Sequence, residues 1–185
     1  MSYHSGNHLI DPQELFKKSR VQEGMHIADF GCGRTGHIVF PGSKIVGERG
    51  VVYAVDILKD VLENIRRRAA LESIHNIETV WANLEQSQGV TISPKTLDIA
   101  FFINVLFHFK DYNVALDEAK RILKPKARIV VVDWTMRLSN LGPDVGEELV
   151  DFEKISQWAQ ENNFIVQDTC DAGAYHRCMI LFRHE

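Results

Sequence analysis

Two carboxylates and three glycines are the residues of this 185-residue chain whose types and spacing could do chemistry. Gly31, Gly33 and Gly36 fit the pattern G-x-G-x-x-G at the end of a short apolar run. Glycines in such a turn allow positive φ angles and let a ligand approach the backbone closely. Asp29 stands just before the first glycine, and Asp56 ends the next apolar run. The arrangement is typical of a strand, a tight turn, a helix and a second strand that bind a nucleotide-like ligand.

Asp29 distinguishes between two kinds of nucleotide-like ligand. In dinucleotide-binding proteins the pyrophosphate lies at the helix N-terminus, close to the position of Asp29, and two like charges in a partly desolvated cleft repel each other. S-adenosylmethionine (SAM) has no phosphate and carries a sulfonium and an ammonium, so it suits this carboxylate better. Asp56 would then accept hydrogen bonds from a ribose diol. The alternative is that both aspartates only cap a turn or a helix.

Three segments resemble a known family: residues 29–33 (DFGCG), 46–47 (VG) and 50–56 (GVVYAVD) are similar to motif I and the acidic second-strand end of the class I SAM-dependent methyltransferases. The resemblance runs from about Leu15 to Arg183 and is strongest to small methyltransferase-domain proteins of the ubiquinone/menaquinone-biosynthesis type. It implies SAM as the cofactor. The cofactor-binding residues are then expected to be Asp29, Gly31, Cys32, Gly33, Gly36, Asp56, Ile57, Asn83, Leu84 and Asn104.

Asn83 departs from the pattern of the family. Similar methyltransferases usually have an acidic residue at this place, which receives the exocyclic amine of adenine. The amide oxygen of Asn83 can accept the same hydrogen bond, although a neutral acceptor is weaker than a charged one. An ordinary turn residue is the alternative interpretation.

Composition and charge exclude several classes of protein. The net charge is −4 and the pI about 6.1, so no overall field attracts nucleic acid or an anionic membrane surface. The basic run at residues 66–68 is interpreted as a solvated helix face. No apolar stretch approaches the ~20 residues of a membrane span, and the first residues are polar, unlike a signal peptide. We therefore expect a cytoplasmic protein.

The three cysteines and eight histidines do not indicate a metal centre or a disulfide framework. The cysteines have no C-x-x-C spacing, and the histidines are scattered along the chain. Cys32, Cys170 and Cys178 are also not expected to cluster, which argues against arsenite as a substrate. No metal ligands are predicted.

The apolar runs predict an α/β fold. Five strands alternate with helices and are followed by a closing pair of strands, which is typical of a doubly wound sheet with helices on both faces. The resemblance implies a seven-stranded, Rossmann-like sheet of order 3-2-1-4-5-7-6 with the last strand antiparallel. We expect one domain over residues 1–185, in which residues 1–24 form an N-terminal helical segment that covers the cleft. Asp11 and Pro12 have the residue types of a helix start.

The turn at residues 124–127 (KPKA) lacks the glycine pair that relatives commonly have there. Residues other than glycine enter the left-handed region at a cost of ~1 kcal/mol or more. We therefore expect this turn to adopt a different type.

Methyl transfer is an in-line displacement, so the main task of the site is to align the acceptor within ~3 to 3.5 Å and to exclude water. If the acceptor must lose a proton, His108 after the fourth strand and Asp133 near the end of the fifth are the candidate catalytic residues. Packing or anchoring roles are the alternative for both. The resemblance favours a small-molecule acceptor, and a macromolecular one stays open.

Two other functions stay open at this point. One is a non-catalytic SAM-binding regulatory or partner protein, which the departures at Asn83 and in the 124–127 turn favour. The other is an NAD-binding Rossmann oxidoreductase, which Asp29 and the closing hairpin disfavour.

Overall fold

The structure, a computed structural model, describes residues 9–138 and 141–185. Residues 1–8 of the expected 1–24 segment, and residues 139–140 of the loop after the fifth strand, lie outside the described residues. The helices are α1 (Pro12–Ser19), α2 (Val39–Val46), α3 (Lys59–Leu71), α4 (Asn113–Ile122) and α5 (Phe152–Glu161). The strands are β1 (His26–Phe30), β2 (Val51–Asp56), β3 (Ile77–Trp81), β4 (Leu97–Ile103), β5 (Leu123–Trp134), β6 (Phe164–Asp171) and β7 (His176–Arg183).

The seven strands form one sheet in the order β3-β2-β1-β4-β5-β7-β6, which confirms the predicted topology. The neighbouring strands from β3 to β5 pair in parallel, and β7 runs antiparallel to both β5 and β6. The carboxyl ends of the parallel strands therefore meet at one edge of the sheet. Ligands bind at this edge in open α/β sheets.

Apolar side chains cover both faces of the sheet. On one face, residues of α1, α2 and α3 pack in a common cluster, in which the rings of Phe16 and Phe101 lie edge to face with centroids 5.8 Å apart. On the other face, α4 and α5 contribute Leu116 and Ile155 to a second cluster. β4 lies between them and is buried along almost its whole length, as expected for a parallel strand covered on both faces. The doubly wound architecture is confirmed.

The first helix begins as predicted. Asp11 is the N-cap and its side chain accepts a hydrogen bond from the backbone N–H of Gln13 at 2.9 Å, and Pro12 is the first helical residue. The segment before the helix is held by His37, whose Nε2 lies 2.8 Å from the carbonyl oxygen of Ile10. These contacts fix α1 beside the end of the sheet that carries the glycine turn.

The start of the fifth strand differs from the prediction. β5 begins at Leu123 and so includes residues 124–127, where a turn was predicted, and a bulge separates the pair Leu97–Leu123 from the pair Ile99–Arg128. Within the bulge Lys126 has a φ of +62°, so the expectation that this turn would avoid the left-handed region is wrong. Strand pairs on both sides hold the bulge in place. The left-handed conformation of Lys126 costs ~1 kcal/mol, and because its side chain is exposed, side-chain packing does not offset this cost.

Within residues 9–138 and 141–185, no helix combines the length and the apolar character needed to span a bilayer. The same part of the chain contains no group of three or more histidine, cysteine, aspartate or glutamate side chains placed to hold a metal ion. The cytoplasmic location stays a prediction.

Candidate functional site

The turn after β1 forms one wall of the candidate site. The backbone N–H groups of Gly31 and Cys32 both donate to the carbonyl oxygen of Val55, at 2.8 and 3.0 Å, which joins the ends of β1 and β2. Gly31 and Gly33 have φ angles of +78° and +62°. A Cβ atom added at Gly33 would meet no atom within 4 Å. The backbone at Gly33 therefore borders open space, as a close approach of a ligand requires.

Two of the predicted cofactor contacts are packing residues in this structure. At Gly36 an added Cβ would lie 2.8 Å from the ring of Phe40 and from the side chain of Ile65, so the third glycine lets α2 and α3 approach each other. The side chain of Cys32 is buried, and burial, followed by the charges of nearby carboxylates, raises the pKa of its thiol. Cys32 is therefore a neutral thiol, and a contact of its backbone with a cofactor stays a prediction.

Asp56 lies at the carboxyl end of β2 with only 8% of its surface exposed. Its carboxylate accepts hydrogen bonds from the backbone N–H groups of Gly33 at 3.0 Å and of Leu58 at 2.9 Å. Leu58 is the N-cap of α3, which has no side-chain cap, so Asp56 holds the turn before the helix rather than capping it. Two carboxylate oxygens retain further lone pairs, so Asp56 can also accept from two hydroxyl groups of a ligand.

Asp29 is a buried acid at the carboxyl end of β1, with 3% of its surface exposed. Burial, and to a lesser degree the charge of Asp56, raises its pKa to about 8. A bound cation would favour the ionised form of Asp29, whereas a bound diphosphate would add negative charge beside it. The chemistry of this position therefore fits the ammonium of SAM better than a dinucleotide.

Three further predicted contacts follow β2 and β3. Ile57 is half exposed beside Asp56, where an apolar face can lie against a ligand. The side-chain oxygen of Asn83 accepts a hydrogen bond from the backbone N–H of Glu85 at 3.0 Å, which is the turn role considered from the sequence. This oxygen has a second lone pair, so a bond to adenine stays a prediction. Leu84 is buried in the apolar cluster of α4 and α5 and supports the turn from below.

The loop after β4 is tied to β5 by buried polar groups. Asn104 has a φ of +52°, and its backbone N–H donates to the carbonyl oxygen of Val132 at 2.8 Å. The carboxylate of Asp133 accepts from the backbone N–H groups of Leu106 at 3.1 Å and Trp134 at 2.9 Å. Asp133 is fully buried, and burial, opposed by these hydrogen bonds, raises its pKa to about 7. Its surroundings indicate an anchor of the loop rather than a residue that touches a substrate.

His108 forms a pair with Glu147 beyond the carboxyl end of β4. Its Nδ1 lies 3.0 Å from a carboxylate oxygen of Glu147, and its side chain keeps 41% of its surface exposed. Glu147 in turn accepts from the backbone N–H of Asp144 at 2.9 Å, and the ring of Phe107 lies 3.9 Å from the imidazole. When Nδ1 donates to the carboxylate, Nε2 is the basic nitrogen of the neutral imidazole. The general-base role of His108 stays a prediction.

A cavity of about 380 Å³ lies between the segments 106–113 and 148–154, and its lining does not include His108 or Glu147. Its lining includes the aromatic side chains of Phe107, Phe109 and Tyr112 and the cationic side chains of Lys110 and Lys154. Both members of the pair are sequence neighbours of lining residues. The volume and the mixture of aromatic and charged groups fit a small molecule.

Glu147 was missed from the sequence. It lies 39 residues after His108 in a loop, and no motif or periodic pattern marks it. His108, by contrast, was predicted because it ends the apolar run that contains β4, although β4 itself ends at Ile103 and His108 lies in a short 3-10 helix, Leu106–His108.

The sheet order and the paired carboxylates at the glycine turn define the chain as a class I methyltransferase, the class predicted from the sequence. A family profile described as "Methyltransferase domain" matches residues 21–181, so the chain belongs to this family. The predicted enzyme class and the SAM cofactor are confirmed at this level. The NAD-dependent alternative is not supported.

Three similar proteins illustrate the relationship. The chain is 28% identical over 140 residues to the "Ubiquinone/menaquinone biosynthesis C-methyltransferase UbiE" of Blochmanniella floridana, covering 74% of this chain and 52% of that protein. It is 26% identical to the "Demethylmenaquinone methyltransferase" of Lactococcus lactis, covering 75% and 58%. A SAM-dependent methyltransferase structure from Aquifex aeolicus matches with a TM-score of 0.82 at 23% identity, covering 96% and 92%. The chain spans little more than half the length of the two quinone-related methyltransferases, the proteins of Blochmanniella floridana and Lactococcus lactis.

Proposed function

We propose that this protein transfers the methyl group of SAM to a small ring compound with an ionisable hydroxyl group, with His108 as the general base and Glu147 as the residue that positions it. The observation that carries the proposal is the 3.0 Å contact between His108 Nδ1 and Glu147 beyond the carboxyl end of β4. Their sequence neighbours Phe107, Phe109 and Glu148 line the cavity of about 380 Å³. The names of the relatives, which refer to ubiquinone, menaquinone and demethylmenaquinone, support a reduced quinone ring as the acceptor.

SAM, when bound, supplies a methyl group that its sulfonium activates. Nε2 of His108 takes the proton of the acceptor hydroxyl, and the carboxylate of Glu147 at Nδ1 stabilises the imidazolium that forms. The electron pair of the resulting oxyanion, or of a ring carbon conjugated with it, would form the new bond to the methyl group as its C–S bond breaks, and neutral S-adenosylhomocysteine would be the leaving group. In the second case the methylated carbon afterwards loses its hydrogen as a proton, which restores the ring.

The cofactor is assigned to the edge formed by β1, β2 and β3. Asp29 would bind the ammonium group, Asp56 the ribose hydroxyls, and the backbone at Gly33 would allow close approach. Ile57 and Asn83 would border the adenine. We further propose that residues 1–185 act as one domain and that the segment around α1 covers the cleft.

A SAM-binding protein without catalysis is the second candidate. The observation that favours it is the hydrogen bond from Glu85 to Asn83, because an oxygen committed to a turn is a weak partner for adenine. This candidate predicts binding of SAM without transfer.

The proposed function is tested by incubating the purified protein with SAM and a reduced naphthoquinone that lacks a ring methyl group, and by measuring S-adenosylhomocysteine. We expect turnover in the wild type. His108→Gln should lower kcat by roughly 10² to 10⁴, the usual contribution of a general base, with little change in the affinity for SAM. Glu147→Gln should lower kcat less and shift the pH profile.

Glu153→Gln on the exposed side of α5 is the matched control and should leave kcat unchanged. Full activity of His108→Gln would contradict the assignment of the base. Tight SAM binding without turnover across hydroxylated ring compounds would favour the non-catalytic candidate.

A further inference from the structure

Two of the three cysteines come together in the closing hairpin. Cys170 on β6 and Cys178 on β7 are register partners in the antiparallel pair, so the expectation that the cysteines do not cluster is wrong for these two. Opposed residues in antiparallel strands have Cα atoms about 4.5 to 5.5 Å apart. This separation lies within the range of about 4.4 to 6.8 Å that disulfides span. Both are free thiols in this structure.

The two thiols differ in their accessibility. Cys178 is fully buried in the cluster that packs under α1, and burial raises the pKa of its thiol. Cys170 is only half-buried and lies on β6, the edge strand of the sheet. A small reagent can therefore reach Cys170 first, whereas Cys178 is a neutral thiol that is shielded from solvent.

A cation from another element lies near the accessible thiol. Lys18 on α1 forms an ion pair with Asp168 at 3.4 Å, and Asp168 precedes Cys170 by two residues on β6. The pKa of Lys18 is raised, first by its charge interaction with Cys170 and then by Asp168, so it stays cationic beside the sulfur. Reactive cysteines typically lie next to such a lysine in a partly exposed position. Among the described residues, the surroundings of Cys170 thus combine access, a cation and a second thiol.

We propose that Cys170 and Cys178 form a reactive dithiol site, which small peroxides oxidise to a disulfide within the chain. Cys170 is the attacking residue and Cys178 the resolving residue. This site is distinct from the cofactor edge and does not depend on the proposed methyl acceptor.

The reaction balances in two steps. The sulfur of Cys170 attacks one oxygen of hydrogen peroxide; an S–O bond forms, the O–O bond breaks, and the departing hydroxide takes the thiol proton as water. The sulfur of Cys178 then attacks the sulfur of Cys170; the S–S bond forms, the S–O bond breaks, and the second hydroxide leaves with the Cys178 proton as water. The two thiols lose two electrons, which reduce the peroxide to two molecules of water.

Cys32 provides an internal comparison. It is buried at the glycine turn at the end of β1, and its sulfur lies 4.0 Å from a carboxylate oxygen of Asp56. Negative charge beside a thiol disfavours the thiolate. Cys32 should therefore stay reduced under conditions that oxidise the hairpin pair.

The test treats the reduced full-length protein with equimolar hydrogen peroxide, unfolds it, alkylates free thiols and records the intact mass. We expect one alkylated cysteine, Cys32, instead of three, and recovery of all three after dithiothreitol. Peptide mapping should find a link between Cys170 and Cys178. In Cys178→Ala, oxidised Cys170 should persist as a sulfenic acid that reacts with dimedone.

A second measurement on the reduced wild type needs no substitution or oxidant. Phenylarsine oxide should bind one equivalent and protect both hairpin cysteines from alkylation, because its arsenic bonds to two thiols and releases water. Cys170→Ser should abolish this protection, and a circular dichroism spectrum checks that the variant is folded. Stable sulfinic acid at Cys170 with Cys178 still alkylated, or a disulfide only between chains, would overturn the proposal.

Discussion

Asp29 is the residue whose protonation state provides a test of the proposed cofactor site. It is buried at the end of a strand with Asp56 close by, and burial raises its pKa to about 8. At neutral pH the free protein therefore holds a mostly protonated acid at this position. An ammonium group that binds there favours the carboxylate, so ligand binding and proton release are linked.

This linkage predicts that SAM binding at about pH 7 releases a proton and that the affinity for SAM rises between about pH 6 and about pH 7.5. Calorimetric titrations in two buffers with different ionisation enthalpies measure the proton release directly. Asp29→Asn should bind SAM more weakly and abolish the release.

Two further variants serve as controls for the measurement of proton release. Asp60→Asn, on the exposed side of α3, should behave as the wild type. Asp56→Ala should lose at least about tenfold in affinity, about 1.4 kcal/mol, while the proton release remains. Equal affinity at both ends of the pH range would mean that Asp29 does not bind a cation.

Among the secondary-structure elements, the start of β5 shows strand pairing overriding the backbone preference of a single residue. Lys126 adopts a φ of +62° in a bulge between two paired sections of β4 and β5. Its side chain is exposed, so packing does not compensate for the backbone conformation at this residue. The strand pairs on either side are what hold it there.

Lys126→Gly should therefore stabilise the protein by about 0.5 to 1 kcal/mol. Glycine removes the cost of the left-handed conformation, and the higher conformational entropy of the unfolded glycine variant offsets part of this stabilisation. Urea unfolding of both proteins measures the difference. Lys126→Ala retains the strain and should change stability little. A loss of stability in Lys126→Gly would show that the lysine side chain has a role here.

For the whole molecule, buried ionisable groups give the stability opposite dependences on pH. Burial lowers the pKa of His176 to about 4, from an ordinary value of 6.5. Between these values the unfolded chain binds more protons, so the contribution of His176 is present above about pH 6.5 and is lost as the pH falls. Asp29 has the opposite sign: its contribution is present at low pH and is lost as the pH rises toward 8.

His176→Phe keeps a ring against Trp134, which lies 4.1 Å from the imidazole, and removes the titrating group. We expect its stability relative to the wild type to increase as the pH falls from about 6.5 to about 4, by at most about 1.4 kcal/mol per pH unit. Asp29→Asn should instead gain relative stability as the pH rises. Urea unfolding across this pH range measures the free energy of unfolding of both variants and the wild type. If this free energy depends on pH in the same way for His176→Phe and the wild type, the lowered pKa of His176 is refuted.

Local patterns were sufficient to predict much of this fold. The apolar runs and glycine turns located the strands, because burial on both faces leaves a continuous apolar stretch in the sequence. The G-x-G-x-x-G turn with Asp29 and Asp56 indicated the cofactor, since strand ends and tight turns require particular residue types within a few positions. The strand order rested on resemblance to a family rather than on the residues alone.

Only the tertiary structure determined which distant residues meet. It placed Glu147 beside His108 and Cys178 opposite Cys170, and it turned Asp133 into a buried anchor of the loop after β4. None of these contacts has a local signature, because each joins separate elements whose relative position depends on how the sheet and its helices pack. The sequence by itself determined the elements and the glycine turn, whereas packing and strand register decided that Glu147 lies against His108 and that Cys178 lies opposite Cys170.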